Sequence, residues 1–279
     1  MRNRIGLIGL LCLSAFLSLG AAHAQTAPSS GYQLPPSALQ AIVDAPRPPQ
    51  LSLSPKRDLA AMIQIPALPS IVTVAQPELK LAGRRINPRT YSQSRFVFGS
   101  DFWLVDIASQ KKIRIEGLPE KLRLSDSQWS PDQTHIAFTQ VVQEAGAVEL
   151  WLIDVQSRRA RKISTTALNT INGAGFSWMP DSKHLLVQLR ADQQPASVFD
   201  GIPTGPSTQE TKPAAGQRQI RTFQDMLKNE NDARLFEHYA RLQLALLDLN
   251  GSAKLLSTPD MFTAVSPSPN GQYLLTQRM

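Results

Sequence analysis

Short apolar runs recur along this chain, each entered through the same kind of turn. Ser54-Pro55-Lys56-Arg57-Asp58 precedes Leu59 to Ile65, and Ser130-Pro131-Asp132-Gln133-Thr134 precedes His135 to Val142. Met179-Pro180-Asp181-Ser182-Lys183 precedes His184 to Leu189, and Ser268-Pro269-Asn270-Gly271-Gln272 precedes Tyr273 to Thr276. Proline fixes φ at the second turn position, and the Asp or Asn after it tolerates a tight bend. Each apolar run has the length of a buried strand.

A second pattern alternates with the first. Phe102-Trp103-Leu104-Val105-Asp106-Ile107 leads through Ser109-Gln110 to Lys112-Ile113-Arg114-Ile115. Leu150-Trp151-Leu152-Ile153-Asp154-Val155 leads through Ser157-Arg158 to Ala160-Arg161-Lys162-Ile163, and Leu244 to Leu249 leads through Asn250-Gly251 to Ala253-Lys254-Leu255-Leu256. Asn-Gly between two apolar runs is a strong hairpin signal. The second run of each pair alternates apolar with basic residues, as an outer strand with one wet face should. Asp106 and Asp154 are 48 residues apart, and Pro131 and Pro180 are 49 apart. A repeat of that length, with three or four strands in each copy, predicts propeller blades.

Asp154 and Asp248 lie 94 residues apart, so the pattern predicts an insertion, placed at 191–242. Ala191 to Gln219 is polar and rich in Pro, Gln, Thr and Gly, which reads as a surface loop. Thr222 with Asp225 resembles a capping box for a short helix carrying Met226 and Leu227. Asp232 would cap a second helix with Leu235, Phe236, Tyr239 and Leu242 on one face and Glu237 paired with Arg241. The fold expected is thus all-β: an incomplete β-propeller of about three to four blades, residues 50–279, with an inserted helical pair. The segment from Ser268 to Met279 reads as the start of a further blade whose strand lacks a hairpin partner, and the pattern predicts that the reading frame continues.

The ends and the composition add a compartment. Residues 1–24 have the form of a signal peptide: Arg2 and Arg4, an uncharged stretch from Ile5 to Leu19, then Ala22-His23-Ala24 at the cleavage positions. An uncleaved anchor would need about 20 consecutive apolar residues, which glycines and serines interrupt here. Export to the periplasm or the medium is expected, with no stable membrane insertion after cleavage. Residues 25–49, rich in Pro, Ser and Ala, read as an extended lead-in. The one cysteine, Cys12, lies in the leader, so the mature chain carries neither a disulfide nor a thiol nucleophile. The formal charge is +7, but its Lys and Arg are scattered singly or in short pairs such as Arg84-Arg85, which argues against a nucleic-acid partner.

Catalytic chemistry is not found. No Gly-x-Ser-x-Gly elbow occurs; the nearest stretch, Gly173-Ala174-Gly175-Phe176-Ser177-Trp178, lacks the last glycine and reads as a lead into a strand. His135 and His184 stand where Leu59 and Tyr273 stand in the other copies, which marks a packing or turn-edge position. His238 has no partner at i ± 4, and nothing is spaced as a zinc site. Asp106, Asp154 and Asp248 recur at one structural position and are expected to cap their own turns. Trp103 and Trp151 are expected in the core between blades. No phosphate loop or dinucleotide fingerprint is present. No catalytic, cofactor-binding or metal-ligating residue is therefore expected in this chain.

The halves Trp129-Ser130-Pro131-Asp132 and Leu150-Trp151-Leu152-Ile153-Asp154 resemble blades of the prolyl oligopeptidase family of serine peptidases. Ile202-Pro203-Thr204-Gly205-Pro206, Arg221 to Lys228, Leu235 to Ala240 and Gln243-Leu244 are similar to the glutamyl endopeptidase-like branch, over roughly Leu34 to Met279. The resemblance implies a seven- to eight-bladed propeller followed by an α/β-hydrolase domain with a Ser-Asp-His triad, the propeller limiting access to peptides and unfolded segments. No triad residue transfers onto any position here. The expectation is an N-terminal propeller fragment of a secreted serine endopeptidase, inactive alone, whose peptide substrate would be met through the missing hydrolase domain. The alternative is an exported stand-alone propeller-like module that binds a protein or peptide.

Overall fold

The computed structural model describes residues 34–191 and 224–279. They fall into two units, divided between Val43 and Asp44. The leader, Thr222 and the polar loop of the expected insertion lie outside the described residues. In the first unit, α1 (Ser37–Val43) is a short helix with no buried residue, where the composition suggests an extended lead-in. Its start explains the difference: Pro36 offers its carbonyl to the Leu39 and Gln40 N–H groups, and prolines preset the backbone of a first helical turn.

The second unit begins with β1 (Gln50–Leu53) and β2 (Leu59–Gln64). The chain then leaves this sheet for α2 (Ile71–Val74), β3 (Leu79–Leu81), β4 (Arg84–Asn87) and β5 (Ser92–Gln93), the strands forming a small sheet of their own. It returns as β6 (Asp101–Asp106) and β7 (Lys112–Arg114), which complete a four-stranded antiparallel sheet in the order β1-β2-β6-β7. The second sheet has no detour: β8 (Leu124–Trp129), β9 (His135–Val142), β10 (Ala147–Asp154) and β11 (Arg159–Lys162) follow one another. The third starts with β12 (Phe176–Trp178) and β13 (His184–Arg190), departs for α3 (Glu230–Ala240), and resumes with β14 (Leu242–Asp248) and β15 (Ala253–Leu255). A hairpin of β16 (Phe262–Pro267) and β17 (Leu274–Arg278) ends the chain.

The described chain is therefore all-β apart from three short helices, and among the described residues no sheet closes on itself. Each sheet packs on the next through alternating side chains. In the second sheet Ile136, Phe138 and Ile153 face the first, where they meet Ala61, Phe102 and Leu104. Ala137, Val141, Leu150 and Leu152 face the third, where they meet Leu185, Val187, Ala245 and Leu247. A sheet buried on both faces reads as an unbroken apolar run, which is why His135 to Val142 stands out in the sequence.

Four expectations need correction. The residue that bends left-handed in the repeated turn is the fourth, one past the position held by Asp132, Asp181 and Asn270 and by Lys56 in the first turn, with φ of 61° at Arg57, 70° at Gln133, 56° at Ser182 and 69° at Gly271. The inserted helical pair is one helix among the described residues. Residues 224–229, with exposed Met226, are irregular, and α3 is capped by Asn229, whose side chain accepts from the Asp232 N–H. Arg241 ends that helix and Leu242 opens β14, so the exposed pair on α3 is Glu230–Arg234, at 2.6 Å, instead of Glu237–Arg241. Finally, the last strand has a partner, because β17 pairs antiparallel with β16.

Candidate functional site

Because strands alternate in direction, each sheet has two kinds of end. The repeated Pro turns and the hairpin turns at Asp106, Asp154 and Asp248 share one end, here the turn end. The connections between second and third strands lie at the other. Two detours, described over 65–100 and 224–241, interrupt the first and third sheets at that second end, where β2 and β13 stop and β6 and β14 start. They meet there, over the sheet between them.

Their meeting place has a core of its own: Leu81, Ile86 and Tyr91 from the first detour, Phe236, Tyr239 and Ala240 from α3, and Ile171 from the connection between β11 and β12. Polar contacts stitch the three pieces. Asn169, fully buried, donates from Nδ2 to the Tyr239 and Arg241 carbonyls at 2.7 and 3.1 Å, and its Oδ1 accepts from the Ile171 N–H. Those acceptors include the last carbonyls of α3, which have no partner within a helix. Thr170 donates its N–H to the Tyr91 carbonyl, and Gly83 donates its N–H to the Asp225 carbonyl. The Arg85 guanidinium lies 3.6 Å from both Glu78 and Asp225.

The Tyr91 hydroxyl and His238 Nε2 are 2.6 Å apart, and the Arg190 guanidinium sits 3.5 Å from the centre of the Tyr91 ring. Tyr239 packs on Tyr91 with ring centres 4.8 Å apart. Burial pushes the Tyr239 phenol up from its ordinary value, the Tyr91 oxygen adds to this, and the Arg190 charge opposes it. Such a cluster holds the Tyr239 phenol neutral and in place. The signal that could have disclosed it is Leu81-Ala82-Gly83-Arg84, a two-residue hairpin turn with φ of 50° and 74° at its central positions.

The other residues singled out by sequence are scattered and structural. Asp106 accepts from the Ser109 N–H and hydroxyl, Asp154 from the Ser157 N–H, and Asp248 from the Asn250 and Ser252 N–H groups. Hydrogen bonding from Ser109 holds the Asp106 carboxyl below its usual value, and the Ser157 N–H does the same for Asp154. His135 touches the Thr134 hydroxyl at 2.8 Å and lies 3.5 Å from Asp154; His184 binds Asp181 at 2.6 Å. Trp151 packs against the core between the first two sheets, near Phe138. Trp103 does not: its neighbours Phe102 and Leu104 take the inward face, so its ring points to the opposite face of the first sheet, partly exposed beneath the Lys112 ammonium. A Cβ added at Gly175 would lie 2.6 Å from the Thr170 methyl and 3.2 Å from the Asn169 carbonyl, which leaves no room for a side chain in the lead to β12.

Two open spaces flank the first seam. A groove of about 390 Å³ lies between the first strands of the first two sheets, lined by Ser52, Ser125, Asp126 and Ser127 among others. Asp126 is held by Arg95 at 3.3 Å. A cleft of about 470 Å³ runs along 114–120 beside Asp101. Neither brings a histidine beside a hydroxyl. Among the described residues no group of three His, Cys, Asp or Glu side chains could hold a metal ion.

No family model matches the chain. Two curated plant proteins do. The "Probable glutamyl endopeptidase, chloroplastic" of Oryza sativa subsp. japonica is 34% identical over 255 residues, 88% of this chain. Its namesake in Arabidopsis thaliana is 35% identical over 261 residues, 90% of the chain. The chain is homologous to part of the glutamyl endopeptidases. It spans 27% of the length of each of these relatives, so the homology covers one segment of theirs. Among solved structures, the acylaminoacyl peptidase of Pyrococcus horikoshii superposes on 85% of the chain and 28% of its own, at 13% identity and a TM-score of 0.41. A prolyl endopeptidase structure does so on 84% and 26%, at 14% identity and a TM-score of 0.41. Likenesses this loose add nothing to what the sheets themselves show.

Proposed function

We propose that this chain is the propeller part of a secreted serine peptidase of the glutamyl endopeptidase-like branch. In this reading its sheets are blades that restrict which peptides reach a hydrolase domain carried elsewhere in the full-length protein. The observation that supports it most is identity of 34–35% over about nine-tenths of the chain. The blade-like succession of four-stranded meanders, each packed face to face on the next, agrees with it. The leader form of residues 1–24 supports export.

The test is labelling of the isolated 279-residue chain with a fluorophosphonate probe. The expected result is no labelled serine, because the acyl-transfer machinery belongs to the other domain. Stoichiometric labelling of any serine in this chain would overturn the reading.

A further inference from the structure

The repeated turns do more than reverse the chain. At the turn end, the left-handed residues of the second and third sheets reach sideways to the turn of the preceding sheet. Gln133 Oε1 accepts from the Lys56 N–H at 2.9 Å, while its Nε2 donates to Asp58 at 2.6 Å. One seam later the equivalent Ser182 Oγ accepts from the Asp132 N–H at 3.1 Å. A second link runs beside each of these. Trp129 Nε1 donates to the Ser52 carbonyl at 3.2 Å, and the equivalent Trp178 Nε1 donates to the Gln128 carbonyl at 3.1 Å. In the hairpin β16–β17 the same two positions are Gly271, which has no side chain, and Pro267, which has no donor at all.

The seam between the third sheet and this hairpin is held differently. Leu242 and Asp260 exchange both backbone hydrogen bonds, Asn172 donates to the Phe262 carbonyl at 2.9 Å, and Leu242 and Leu244 pack on Phe262. These contacts sit towards the end away from the turns. The first three sheets, by contrast, are linked at the turn end and also tied across the opposite end by the two detours.

We infer that this seam is a hinge: the hairpin pivots on Leu242 and Phe262, and its turn end is free to swing away from a firmly linked block of three sheets. The consequence rests on the propeller reading. A swing of this kind opens the first strands sideways to an extended peptide segment, a lateral entrance in addition to any opening along the blades.

The experiment is residue-resolved amide hydrogen exchange on the whole chain and two variants. A side chain fits at position 271, where the nearest atoms to an added Cβ are Pro180 Cδ at 3.6 Å and Met179 Cε at 3.7 Å. The left-handed φ is tolerated by Arg57, Gln133 and Ser182 at the equivalent positions. In the native chain, the Lys56 and Asp132 amides should be protected at least tenfold more than the Asp181 amide. Gly271→Ser should protect the Asp181 amide at least tenfold and slow the exchange of β17 several-fold. Gly271→Ala, with the same backbone strain but no oxygen, should do neither. An Asp181 amide already as protected as that of Asp132, or a Gly271→Ser chain with unchanged β17 exchange, would overturn the hinge. Neither result bears on the peptidase reading, which the labelling experiment decides alone.

Discussion

At the scale of single residues, the most consequential side chain is Asn169. It is fully buried, yet its donors and acceptor are all engaged by the C-terminal carbonyls of α3 and by its own connection. Removing it leaves carbonyls buried without partners, which costs more than the bond itself contributes. Asn169→Ala should destabilise the chain by about 2–3 kcal/mol, a drop of roughly 4–12 °C in melting temperature for a domain of this size. Thermal unfolding followed by circular dichroism would show it. The turn aspartates make a second residue-scale prediction. Those at 58, 106, 132, 154 and 181 all have carboxyls below the ordinary value of 3.8. For Asp58 the Gln133 amide is the main cause; for Asp132 and Asp181 burial opposes ionisation, and the hydrogen bonds from Ser130 and Thr134 and from His184 outweigh it. A lowered folded pKa stabilises the native state above the unfolded value, and that contribution is lost as pH falls through the folded one. Melting temperature should therefore be insensitive to these groups at neutral pH and fall below pH 3.8. Asp106→Asn should flatten part of that fall, and an unchanged acid limb would count against the assignment.

Among the elements, α3 is the one whose loss should travel farthest. Its Phe236 and Tyr239 close a core that β3, β4 and the 168–171 connection also need. Phe236→Ala should cost about 3–5 kcal/mol locally. Amide exchange should rise together in α3 and in β3–β4, because the two detours share one core; a rise confined to α3 would show that they fold separately. This coupling was invisible along the chain. The repeated turns and hairpins were legible because proline, asparagine and glycine impose local backbone geometry whatever surrounds them. The same holds for Asp106, Asp154 and Asp248, whose hydrogen bonds lie within their own turns. The strands of the first detour were missed because none exceeds four residues and their burial comes from α3, distant in sequence. His238 illustrates the limit for the candidate site: the search for a partner one helical turn away could not find Tyr91, 147 positions earlier. The serine that opens three of the four turns was also undervalued. Ser54, Ser130 and Ser268 each accept the N–H of the residue five positions on, closing the turn onto the strand that follows.

For the whole molecule, the deciding feature is that the second sheet has no face of its own. Alternate residues of β9 and β10 belong to the cores on either side, so the first sheet cannot separate from the second without exposing Phe102, Phe138 and Ile153, nor the third without exposing Leu150, Leu185 and Val187. Burial of side chains of this size contributes about 1.5–3 kcal/mol each, which makes any state with one sheet detached costly. The three sheets should therefore unfold as one unit. Trp103, Trp129, Trp151 and Trp178 are the chain's four tryptophans, and all lie in these sheets. Their fluorescence should report that unit alone, while far-ultraviolet circular dichroism also sees the hairpin β16–β17. In a urea titration the fluorescence transition should be single, with the steepness expected for the surface of three sheets exposed together. Two resolved fluorescence transitions would show that a seam between the first three sheets gives way by itself. In that case the links from Gln133, Ser182, Trp129 and Trp178 would not be what holds them.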